Sequence, residues 1–80
     1  MRIDKFLKVS RIIKRRTVAA TVCDAGKVLI NDKVAKSSTN VKIGDIVCVT
    51  FGAKVFKFKV MNLNEAVKAQ DAQTLYEIIE

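Results

Sequence analysis

The spacing of the apolar residues changes at Gly26, and that change most constrains how this chain folds. Before it, Ile3, Phe6, Leu7, Ser10 and Ile13 recur at steps of three and four, the signature of one helix face. Lys5, Lys8, Arg11, Ile12 and Arg15 fall on the opposite face, and no glycine or proline interrupts the segment. Lys14 to Thr17 form a polar break. A second helix is expected from there to about Ala25, with Val18, Ala19, Val22 and Cys23 as its apolar stripe. Thr17 suits the N-cap of that helix, with Arg15 or Arg16 as the other occupants of the boundary. Gly26 suits the left-handed position that closes it.

After Gly26 the period shortens to that of strands. Val28, Leu29 and Ile30 are followed by Asn31-Asp32, a turn pair, and by a short return strand over Val34–Lys36. Ser37 to Asn40 read as a polar loop, and Ile43-Gly44-Asp45 as a further turn. Ile46–Phe51 is the clearest strand, and Gly52-Ala53 turns it into Lys54–Met61. There Val55, Lys57 and Lys59 alternate with Phe56, Phe58 and Val60, giving one polar-leaning and one apolar face. Past Leu63 two readings stay open: a short helix capped by Asp71 and running through Tyr76, or an edge strand over Leu75–Ile79. Helices first and antiparallel strands after define an α+β fold, and 80 residues suffice for one domain with one modest core.

Charge is distributed as unevenly as periodicity. Residues 1–16 hold seven bases (Arg2, Lys5, Lys8, Arg11, Lys14, Arg15 and Arg16) against the single acid Asp4. Residues 61–80, with Lys68 against Glu65, Asp71, Glu77 and Glu80, are net acidic. Like charges crowded on a folded surface repel, and a partner of opposite sign relieves the strain. For a small basic protein that partner is commonly a nucleic-acid backbone. A merely solvated face and an anionic membrane surface are the competing readings. Acids usually alternate with bases on a solvated face, and here they are nearly absent. A membrane-bound helix would withdraw Ile3, Phe6 and Leu7 from the core.

Catalysis finds few candidates. The chain has no histidine, which removes imidazole acid–base chemistry, and its two cysteines, Cys23 and Cys48, are too few and too far apart for a zinc site. Both lie in apolar stretches and are expected to be free core thiols in a reducing cytosol. Asp4, Asp24, Asp32 and Asp45 sit beside turns or helix ends, where capping accounts for them. Phe56 and Phe58 could offer a stacking platform for RNA, but in so small a domain they are expected in the core. No enzyme, cofactor or metal is expected. Neither is a membrane span or a secretory signal, since no long apolar run or h-region is present.

Five short motifs then occur in one order: Arg2-Ile3-Asp4-Lys5-Phe6-Leu7, Arg15-Arg16-Thr17-Val18-Ala19, Gly26-Lys27-Val28-Leu29-Ile30-Asn31, Lys36-Ser37-Ser38 and Val41-Lys42-Ile43-Gly44-Asp45. Together they resemble the RNA-binding domain of small-subunit ribosomal protein S-four, the alpha-L motif, over about residues 1–50. Residues 51–80 would add a hairpin and a short C-terminal extension. Among stand-alone members the chain is similar to the ribosome-quality-control and heat-shock-protein-fifteen group. The resemblance implies two N-terminal helices packed on a small twisted antiparallel sheet. It implies that Arg2, Lys5, Lys8, Arg11, Arg15 and Arg16 meet rRNA or tRNA phosphates, with Lys14 in the same basic run and Lys36 in the fourth motif. Two positions depart from the family pattern: Arg15 stands where many members carry serine, and Asp32 where many carry glycine.

The function so implied is cytoplasmic and non-enzymatic. A monomer would bind the large ribosomal subunit with its peptidyl-tRNA and support C-terminal tailing of stalled nascent chains, beside a tailing factor. The alternatives are a heat-shock-protein-fifteen-like rescue of obstructed large subunits and an accessory domain of an RNA-modifying enzyme.

Overall fold

The computed structural model describes residues 1–79. Two helices, α1 (Ile3–Val9) and α2 (Arg16–Asp24), precede strands β1 (Val28–Ile30), β2 (Lys33–Val34), β3 (Ile46–Phe51) and β4 (Lys54–Val60). A 3-10 helix over Ala69–Leu75 then leads into β5 (Tyr76–Ile78). The strands form one antiparallel sheet in the order β2-β1-β3-β4-β5. The fold is α+β, with both helices against one face of the sheet. Both readings of the C-terminal segment hold in part: a helical turn and an edge strand follow one another. Asp71 does not cap the turn; Lys68 occupies that position.

A seven-residue helix is too short to persist alone, so packing must hold α1. Ile3, Phe6 and Leu7 are fully buried, each contributing about 1.5–3 kcal/mol through lost water contact. Phe6 stacks on Phe58 of β4 at 6.0 Å between centroids, and Tyr76 meets Phe58 edge-on at 5.6 Å. The sheet supplies Val28, Ile30, Val47, Val49 and Val60 to the same core. Phe58 is thus a core residue, as expected, and Phe56 on the same side is half-buried.

α1 stops earlier than its apolar spacing implies. The Ser10 hydroxyl donates to the Leu7 carbonyl at 3.3 Å, and Arg11 takes a left-handed φ of 61°. Ile13 still reaches the core, through a turn in which its N–H bonds the Leu7 carbonyl at 3.1 Å. Arg11 and Arg15 are therefore not on one helical face with Lys5 and Lys8. Arg15, not Thr17, stands at the α2 boundary, and no side chain caps that end. The other end closes as expected. Gly26 has a φ of 80°, its N–H bonds the Cys23 carbonyl, and the Lys27 N–H bonds that of Val22, the paired closure that a left-handed glycine permits.

Asn31 and Asp32 both have positive φ, 51° and 68°, the two-residue hairpin turn that their composition favours. Asn31 also ties the turn to the start of β3: its Nδ2 donates to Asp45 Oδ1 at 3.0 Å, and its Oδ1 accepts the Ile46 N–H at 2.9 Å. The chain start lies along residues 37–41, with Ile3 N–H on the Thr39 carbonyl and Val41 N–H on that of Met1. One core expectation fails. Cys48 alternates out of phase with Val47 and Val49, so it is half-buried on the sheet face turned away from the helices. Cys23 is fully buried, and both are free thiols.

Candidate nucleic-acid interface

The N-terminal bases fall into distinct groups, organised by acids that carry no such label in the sequence. The first is centred on Asp4, which is 3 % exposed. Its Oδ2 accepts from Arg2 Nη2 at 3.2 Å and faces Arg16 Nε at 3.5 Å, while its Oδ1 accepts the Lys5 N–H at 2.7 Å. Both arginine side chains are about half exposed. One edge of each guanidinium is held by the buried acid and other donors face water, an arrangement suited to forked capture of phosphate.

Lys36 joins this group through the loop after β2. Asp24, at the end of α2, accepts both the Ser37 N–H at 2.9 Å and the Ser37 hydroxyl at 3.0 Å. Those bonds, the backbone one foremost, hold its carboxyl below the usual 3.8, and the positive charges of Lys36 and Arg2 add to the effect. The bonds fasten the Lys36 loop to the helix pair, so Arg2 and Lys36 are drawn to the same end of the molecule.

The second group comprises Lys8, Arg11 and Lys14, which line a polar concavity of about 130 Å³ with Glu65 and Val67 from the opposite segment. The left-handed turn at Arg11 makes the concavity by folding the chain back after α1. Lys5 adjoins this group through Glu65, with which it pairs at 2.9 Å. Arg15 lines neither the Asp4 cluster nor the polar concavity, and its one link to the second group is Lys14, which borders both the concavity and the groove beside Arg15. It borders an apolar groove with Ile12, Val18 and Phe51. Sequence reasoning thus found the bases but missed Asp4 and Glu65 as their partners and Phe51 as their neighbour. For Asp4 a signal existed: it is the one acid among seven bases.

Beneath the first group, burial pushes the Cys23 thiol up to about 11, and the negative charges of Asp4 and Asp24 add to the rise. A thiol so placed stays protonated and is a poor nucleophile.

A basic helix pair on an antiparallel sheet, with arginines fixed at the helix junction, defines a small nucleic-acid-binding module of the α+β class. The family model of the S4 domain matches residues 1–47, and the chain belongs to the S4 domain family. It is 52% identical over 79 residues to a Streptococcus pneumoniae protein named RQC P-site tRNA stabilizing factor, covering 99% of this chain and 90% of that one. The Bacillus subtilis protein of the same name is 48% identical over 80 residues, covering 100% and 93%. Among solved structures, Vibrio cholerae heat shock protein 15, described as trimeric, superposes with a TM-score of 0.90 at 30% identity, covering 99% of this chain and 81% of that one.

Proposed function

We propose that this protein binds RNA phosphates on the large ribosomal subunit and on its P-site tRNA, and stabilises that tRNA during ribosome-associated quality control. It acts there as a single-copy, cytoplasmic binding factor, not as an enzyme, and supports tailing of the stalled nascent chain by a partner factor. The contacts are assigned to Arg2, Arg16 and Lys36 at one end, and to Lys5, Lys8, Arg11, Lys14 and Arg15 along the helix pair. The observation that carries the reading is the pair Arg2 and Arg16 held on buried Asp4. It stands in a chain about half identical, nearly end to end, to factors named for P-site tRNA stabilisation. A rescue role like that of heat shock protein 15 is the second reading, supported by the structural superposition.

Arg16 adjoins the uncapped start of α2, where free N–H groups also attract anions. Co-sedimentation with large subunits that carry or lack peptidyl-tRNA tests the proposal. Wild type is expected to pellet preferentially with tRNA-bearing subunits. Arg16→Ala should weaken this by about 1.5–3 kcal/mol, the scale of hydrogen bonds to charged groups. Arg16→Lys, which keeps the charge but not the fork, should fall between. Equal pelleting of Arg16→Ala and wild type would remove Arg16 from the interface, and pelleting indifferent to tRNA would overturn the assignment to P-site tRNA.

A further inference from the structure

We propose that the groove around Phe51 receives an unpaired nucleobase of the bound RNA. The proposal rests on the RNA-binding reading above and adds a base-stacking contact to its phosphate contacts. Alternation along β3 sends Val47, Val49 and Phe51 to the helix side of the sheet. Val47 and Val49 are fully buried there, but β3 carries Phe51 past the helices and leaves it 39 % exposed. Two open grooves meet at its ring. One, of about 330 Å³, has Ile12, Ile13 and Val18 as its floor and Lys14 and Arg15 on its rim. The other, of about 310 Å³, runs between Val18 and Val22 of α2 and the β3–β4 hairpin, with Lys27 and the threonines at 17, 21 and 50 around it.

Among the described residues no carboxylate lines either groove. An exposed aromatic ring on an apolar floor, with cations at the rim, is the chemistry that holds a single-stranded nucleotide: the base stacks and the phosphate pairs. Its position gives the contact a route. Arg15 and Arg16 are consecutive, yet Arg16 turns to Asp4 while Arg15 borders the groove. A strand whose phosphates pass from one arginine to the other brings its next base over Phe51. Bases inside a duplex are stacked on one another, so an unpaired base is the matching occupant.

The chain contains no tryptophan, so Phe51→Trp places its only indole at the site. Titration with a ten-nucleotide oligoadenylate is expected to quench that indole in step with binding. An abasic ribose-phosphate oligomer of equal length should bind more weakly without quenching. Phe51→Ala should weaken oligoadenylate binding about tenfold, on the scale of base–aromatic stacking, and leave the salt dependence unchanged because no phosphate contact is lost. Phe51→Tyr should bind like wild type. Thermal melts accompany each variant, and the tryptophan and tyrosine variants carry the test if the alanine variant unfolds. An indole silent at saturation would overturn the nucleobase site, as would a Phe51→Ala that binds normally while Arg16→Ala does not; in either case the RNA reading would stand. Failure of wild type to bind any RNA would overturn both. Quenching by polyglutamate would assign the groove to an acidic peptide and overturn the nucleobase.

Discussion

Asp4 and Arg16 form an ion pair across the α1–α2 junction, Oδ2 to Nε at 3.5 Å, with the acid buried and the arginine half exposed. Exposed pairs contribute roughly 0–1 kcal/mol, because water already solvates both members. Here only one member is in water. A buried carboxylate without partners is costly, so both Arg16 and Arg2 are drawn to it. The acid thereby fixes two guanidiniums in position before any ligand arrives, which lowers the ordering cost of binding.

Asp4→Ala is therefore expected to weaken RNA binding even though it removes a negative charge. A purely electrostatic surface predicts the reverse. The substitution also strips the Lys5 N–H of its 2.7 Å acceptor and should cost about 1–3 kcal/mol of stability. Affinity at fixed salt, measured with a melting curve, separates the two effects. Tighter binding by Asp4→Ala would show that the acid only subtracts charge.

Lys8→Ala and Glu65→Ala should move the salt dependence in opposite directions. Lys8 has no acidic partner among the described residues, so its loss removes a phosphate contact and makes the slope shallower by about one. Glu65 holds Lys5 at 2.9 Å; removing it frees a base, tightens binding at low salt and steepens the slope. RNA affinity measured across a salt series reads both. Parallel slopes for the two variants would contradict the assignment.

The Asp24–Ser37 bonds carry a pH dependence of known sign. The Asp24 carboxyl lies below the ordinary 3.8 in the folded protein. Its contribution is fully present above 3.8 and is lost as pH falls through the lowered value. The difference in melting temperature between wild type and Asp24→Asn should stay constant from neutral pH down to mild acid, and shrink only below the ordinary carboxylate value. A gap that closes near neutrality would mean that another group is responsible.

The two thiols should differ in reactivity. Cys48 is half-buried on the outer sheet face, whereas Cys23 is fully buried and its thiol is pushed up to about 11. A disulfide reagent at mildly alkaline pH should modify one thiol quickly in the native protein and both after denaturation. Mass spectrometry should place the first adduct on Cys48. Equal rates would mean that the core around Cys23 opens readily.

Much of the scaffold is legible in local chemistry. The steps of three and four from Ile3 to Leu7 place three apolar side chains on one helix face, and they are buried there. Gly26 closes α2 and Asn31-Asp32 turns the first hairpin, because each depends on the backbone freedom of its own residues. The alternation of Phe56, Phe58 and Val60 with lysines announces which side of β4 meets the core. β3 gives no such cue. Ile46, Val47, Cys48 and Val49 are all apolar, so the pattern does not reveal which phase faces the helices, and Cys48 proves to face outward.

The length of α1 is equally invisible, since the apolar spacing continues to Ile13 while the helix ends at Val9. Composition announces that the N-terminal end is basic, because charge sums without regard to folding. Which base meets which acid is a different kind of fact. Asp4 reaches Arg16 because two helices pack side by side, Asp24 reaches Ser37 because a loop returns beneath α2, and Lys5 reaches Glu65 because the segment before the 3-10 helix lies across α1. Local periodicity tells each residue which way to face. Only the packing of elements distant in sequence decides what it finds there, since ion pairs and grooves depend on a few ångströms between side chains that no local rule encodes.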